Sequence, residues 1–94
     1  MKIRWTKRAI RSLASLQAHI SRDSPAAAAR IAAVVVEAVS QLEKFPFSGR
    51  EGRVEGTREL IVPGLPYILP YRIAGEEIQV ASVIHTSRKW PEKL

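Results

Sequence analysis

The sequence has no cysteine, which removes disulfides, thiolate nucleophiles and thiolate metal sites together. Its two histidines, His19 and His85, stand far apart in the chain and do not suggest a zinc centre, so neither a metal nor a cofactor is expected. Acid is missing from the first 22 residues: six cations precede the first carboxylate, Asp23. Those cations, among them Lys2, Arg4, Lys7, Arg8 and Arg11, also break up anything resembling a secretory leader. The longest apolar run is interrupted by Glu37 and falls short of the roughly 18–20 residues that span a bilayer. A soluble cytoplasmic protein without membrane association is therefore expected.

What is present bounds the rest. Ninety-four residues predict one domain, 1–94, because a chain this short buries only roughly 60–65% of its unfolded surface and cannot divide that between two cores. A net charge of +6 and a pI near 10.3 imply a polyanionic partner: nucleic acid, a ribosome or an acidic protein. Lys7, Arg8 and Arg11 would crowd a helix N-terminus, where the macrodipole costs each cation a few tenths of a kcal/mol. A purpose other than stability is implied for them.

Lys2-Ile3-Arg4-Trp5 alternates as a short strand, and Thr6 is the N-cap of a helix from Lys7 to about Ser21, with Ile10, Leu13, Leu16, Gln17 and Ile20 on its stripe. Ser24-Pro25 restarts the chain as a second helix to about Lys44, since serine caps the free amides and proline fits the first helical position. Its stripe is Ile31, Val34, Val35, Ala38, Val39 and Leu42. A glycine-rich loop from Phe45 to Gly56 follows, then three strands, Thr57–Val62, Tyr67–Ile73 and Ile78–Thr86, forming an antiparallel meander. The predicted class is α+β, with a two-helix antiparallel hairpin covering one face of the sheet.

Setting Ile73 opposite Ile78 brings Tyr71 to Val80, Leu69 to Ser82 and Tyr67 to Ile84, the helix-covered side. Arg72, Ile68, Val83 and His85 then fall on an open face. Pro70 removes a ladder hydrogen bond and predicts a bulge. On the open face His85 is a candidate general base toward a ribose hydroxyl; its other reading is a hydrogen-bonded residue at a strand end. Arg58, Arg72 and Arg88 have the planar fork suited to phosphate or carboxylate, and Lys89 adds charge beside them. Trp90 either stacks on a base or folds back over Ile68 and Val83. Glu59 points away from Arg58 and is expected in a surface ion pair.

Gly56-Thr57-Arg58-Glu59-Leu60-Ile61-Val62, Tyr67-Ile68-Leu69-Pro70-Tyr71-Arg72-Ile73 and Val83-Ile84-His85-Thr86-Ser87-Arg88-Lys89-Trp90-Pro91 occur in this order after a strand and two helices. This arrangement resembles the RelE/ParE superfamily of bacterial type II toxin–antitoxin toxins, over nearly the whole chain. The resemblance implies a growth-arresting toxin, of the kind that stabilises plasmids, neutralised in a heteromeric complex by an acidic cognate antitoxin; a dimer is also compatible. Lys7, Arg8, Arg11, Ile68 and Val83 are the expected antitoxin contacts, and Arg58, Arg72, Arg88, Lys89 and Trp90 the expected target contacts. Two targets are implied by its two branches: DNA gyrase, bound without chemistry, or ribosomal mRNA, cleaved with His85 as the catalytic residue. The second strand offers no lysine and no tyrosine follows Tyr71, so the ParE-like branch fits better. A small nucleic-acid-binding module is the remaining reading, resting on charge alone.

Overall fold

A computed structural model describes residues 1–91 and 93–94. In chain order it has β1 (Lys2–Trp5), α1 (Lys7–Ser21), α2 (Pro25–Ser40) with a 3-10 turn at Gln41–Glu43, β2 (Arg50–Glu51), β3 (Arg58–Ile61), β4 (Tyr67–Ala74), β5 (Glu77–Val80) and β6 (Ile84–His85). The class is α+β, as expected. Both helices start where their caps predict: the Ala9 amide donates to Thr6 Oγ1 at 3.1 Å and the Ala27 amide to Ser24 Oγ at 3.1 Å. The meander β3–β4–β5 is present, and β1 joins it parallel to β5, giving the order β1-β5-β4-β3-β2 with β6 also paired to β4. The short strand β2 lies inside the segment expected to be all loop.

One sheet face carries Ile3, Trp5, Leu60, Leu69, Tyr71, Ile78 and Val80, and these pack with Ala9, Val35, Val39 and Leu42 of the helical layer. Fully burying such side chains contributes about 1.5–3 kcal/mol each. Ala9 is wholly buried, whereas Ile10, expected on the stripe, is 55% exposed; the small side chain is the one that lets α1 approach closely. Pro25–Glu43, 19 residues of mean hydropathy 1.3, is long and apolar enough to cross a membrane, which corrects the estimate made from uninterrupted runs. Here its stripe is spent on the sheet, through Val35, Val39 and Leu42.

The register holds at Ile73↔Ile78 and Tyr71↔Val80 and then slips. The next pairs are Ile68↔Ile84 and Tyr67↔His85, so one strand has advanced by one residue more than the other. The expected bulge opposite Pro70 is therefore real: Ala81 donates to the Pro70 carbonyl at 2.9 Å, and one residue between Ala81 and Val83 is extra. A slip of one residue exchanges faces. The bulge is fastened to α1, since Thr6 Oγ1 donates to the Ala81 carbonyl at 3.2 Å and Ser12 Oγ lies 3.3 Å from Ser82 Oγ.

Candidate functional site

Because of that slip, His85 shares the helix-side parity of Tyr67 and does not stand on the open face with Arg72. This corrects the sequence-based placement. Its ring meets the Tyr67 ring edge-on, 5.5 Å between centroids. Val83 turns the same way and packs against the main core, while Ile68 stays on the reverse face, buried against Ile61 and Ile84 in the ladder. Ile68 and Val83, expected side by side, are thus separated.

His85 now borders an open groove of about 720 Å³ between α1 and the end of the sheet. On the helix side, Arg8, Arg11, Ser15, His19 and Arg22 line it at helical spacing. Fourteen residues at 1.5 Å rise make that stripe about 21 Å long. On the sheet side stand Tyr67, Val83, His85, Ser87 and Arg88, and no carboxylate is among the lining residues described. Arg88 is placed by a turn in which its amide donates to the His85 carbonyl at 3.0 Å. Lys7 is exposed at the start of α1, and no acid occupies the first turn of that helix. The groove is thus strongly positive, with apolar Leu16, Val83 and Tyr67 along its floor.

The contacts of the His85 ring favour one tautomer. The Ser87 amide donates to Nδ1 at 3.1 Å, and Ser87 Oγ lies 2.7 Å from the same atom. An amide can only donate, so Nδ1 keeps its lone pair and Nε2 carries the proton of the neutral ring. In that form Nε2 offers a hydrogen bond and cannot take a proton from a hydroxyl.

The remaining candidate arginines are engaged elsewhere. Arg58 shares the helix-side face with Tyr71 and donates to the Gly49 and Phe47 carbonyls at 2.9 and 3.1 Å; it secures a loop. Arg72, on the reverse face beside Gln79, donates to the Leu94 carbonyl at 3.1 Å. Trp90 lies under the Arg53 guanidinium, which is 3.8 Å from its ring centroid. Lys89 is exposed at the rim of a neighbouring, smaller groove that Trp90 also lines.

Glu59 departs most from expectation. It is only 2% exposed and holds Arg50 at 2.9 Å and Arg53 at 3.2 Å, each about half exposed. Burial pushes its carboxyl up, but the Arg53 amide and the Arg50 and Arg53 guanidinium groups outweigh this and hold it below its ordinary 4.5. On the same face Arg4 pairs with Glu77 at 2.8 Å and lowers that carboxyl too. Sequence reasoning missed His19, Arg22, Arg50 and Arg53. The first two were legible from the helical spacing Arg8, Arg11, Ser15, His19, Arg22; the others depend on how the glycine-rich segment folds back.

Known proteins share both sequence and shape with this chain. A family model described as the ParE toxin of the type II toxin-antitoxin system, parDE, matches residues 3–90. The Y4kP protein of Sinorhizobium fredii is 45% identical over 93 residues, covering 99% of this chain and 96% of that one. Toxin RelE2 of Caulobacter vibrioides is 30% identical over 84 residues, covering 89% and 93%. A solved structure described as a chromosomal ParDE toxin–antitoxin system from P. aeruginosa superposes with a TM-score of 0.84 at 28% identity, over 93% of this chain and 97% of that chain. With the sheet order, the helical pair and nearly the full length in agreement, the chain belongs to the ParE toxin family of type II toxin–antitoxin systems, within the RelE/ParE superfamily.

Proposed function

We propose that this toxin arrests growth in the bacterial cytoplasm by binding DNA gyrase, without cutting mRNA, and that an acidic cognate antitoxin silences it by occupying the groove beside α1. The observation that carries the choice between binding and cleavage is the Ser87 amide on His85 Nδ1. It occupies the lone pair of Nδ1 and leaves the proton of the neutral ring on Nε2, so neither nitrogen is free to act as a general base. The lining offers no carboxylate among the described residues to take that part. The antitoxin reading rests on charge and floor: Arg8, Arg11, Arg22 and Arg88 suit carboxylates, and Leu16, Val83 and Tyr67 suit the apolar side of an amphipathic segment. Of the expected contacts, Lys7, Arg8, Arg11 and Val83 remain in this proposal; buried Ile68 does not.

Two assays test it together. Purified toxin is expected to inhibit gyrase supercoiling, with antitoxin restoring activity, and primer extension on translated mRNA is expected to show no new ends. Codon-associated cuts that vanish in His85→Ala would overturn the proposal in favour of a ribosome-dependent endoribonuclease.

A further inference from the structure

Two of the most exposed large apolar side chains sit on either side of one proline. Phe45 is 59% exposed and Phe47 67%, in the segment joining the 3-10 turn to β2. Exposed phenyl groups usually belong to mobile chain, but this backbone is fixed from several directions. The Ser48 amide donates to the Phe45 carbonyl at 3.1 Å, closing a turn over Pro46. The buried Tyr71 hydroxyl donates to the Pro46 carbonyl at 2.8 Å and accepts the Gly49 amide at 2.9 Å. Arg58 donates to the Phe47 and Gly49 carbonyls, and its guanidinium lies 5.5 Å from the Phe47 ring centroid. Gly49 is required for this closeness, since a Cβ there would stand 2.6 Å from the Tyr71 hydroxyl.

A buried tyrosine and an arginine therefore hold two phenyl groups out in water. Aromatic side chains on a preorganised backbone beside an arginine have the composition of a binding hot spot, because little loop entropy is lost on docking. We infer that Phe45 and Phe47 form a rigid apolar knob that inserts into an apolar pocket with an acidic rim on the toxin's protein target.

Charge selects that occupant. Exposed Lys44 precedes the knob and the Arg58 cation backs it, so a second copy of a chain with net charge +6 would meet it with like charge. A nucleic acid would need more cations for its phosphates than Lys44 alone, yet the forks of Arg58 and Arg50 are already committed to the loop and to Glu59. The antitoxin has the groove, whose Tyr67 lies four residues from Tyr71 along β4, about 13 Å at strand spacing. This inference rests on the reading of the chain as a target-binding toxin and adds the part of the surface that does the binding.

The test is the double variant Phe45→Ser/Phe47→Ser in the full chain. Growth arrest is expected to disappear, and target inhibition to weaken by roughly 30-fold or more. Antitoxin affinity should stay within about threefold, as expected for sites with no shared residue, and the unfolding midpoint should not fall. Persistent arrest overturns the knob whatever the target is. So do a parallel loss of antitoxin affinity, loss of a concentration-dependent dimer seen in the wild type, or loss of binding to naked DNA or RNA. If instead the wild type arrests growth without inhibiting supercoiling, the gyrase reading falls while loss of arrest in the variant still upholds the knob.

Discussion

The groove beside α1 and the reverse face of the sheet use the same residue in opposite ways. On the reverse face Arg50 and Arg53 are bound to Glu59, Arg53 also covers Trp90, and Arg72 reaches the chain's last residues. In the groove, the guanidinium groups of Arg11, Arg22 and Arg88 have no hydrogen-bond partner among the described residues, and Arg8 spends one nitrogen on the Lys93 carbonyl. Arginine on a strand therefore does not by itself mark a binding surface. A fork already closed on a protein acceptor holds structure, and an open one is available to a ligand.

The largest effect should come from the committed side. Glu59→Gln leaves two guanidinium groups without their carboxylate and is expected to cost about 2 kcal/mol, moderated because both arginines are half exposed and can be rehydrated. Urea unfolding reads this directly. Because the folded-state value of Glu59 lies below its ordinary 4.5, its contribution is full above that ordinary value and is lost as pH falls through the lowered one. The wild-type midpoint should therefore drop further than that of Glu59→Gln below about pH 4.5.

Charge reversal in the groove comes next. Arg11→Glu/Arg88→Glu should weaken the antitoxin by roughly 10- to 50-fold at low salt, the deficit shrinking as salt rises. Arg72→Gln should change it by less than about threefold, since its fork faces the other way. Calorimetric titration at two ionic strengths would separate the surfaces. Equal losses in the two variants would erase the distinction between them.

Smaller effects sharpen it. Tyr71→Phe removes one acceptor and one donor from the Phe45–Gly49 segment and should cost about 1–1.5 kcal/mol by urea unfolding. Smallest of all, His85→Ala should lower antitoxin affinity only about 2- to 5-fold, the worth of one neutral hydrogen bond. Nitrogen-15 spectra of the neutral imidazole should show the proton on Nε2; a proton on Nδ1 would contradict the Ser87 contact.

Much of the fold was legible because its signals are local. Thr6 and Ser24-Pro25 announce both helices, and Ile73 opposite Ile78 sets a register that holds as far as Tyr71↔Val80. The site was less legible because it lies beyond the bulge. Pro70 revealed that the ladder must break, but no local feature shows which strand gains the residue, and that choice moved His85 and Val83 from one face to the other. Glu59 was misjudged for a related reason: alternation gives its face correctly, whereas its burial depends on Arg53, brought back across a segment without periodicity.

The most direct measurement is a titration of isotope-labelled toxin with its cognate antitoxin. The predicted result is that perturbations centre on Arg11, His19, His85 and Arg88, leaving Glu59, Arg72 and the Trp90 indole nearly unmoved. Perturbations centred on those last three residues instead would contradict the assignment of the groove as the toxin's binding surface for its antitoxin.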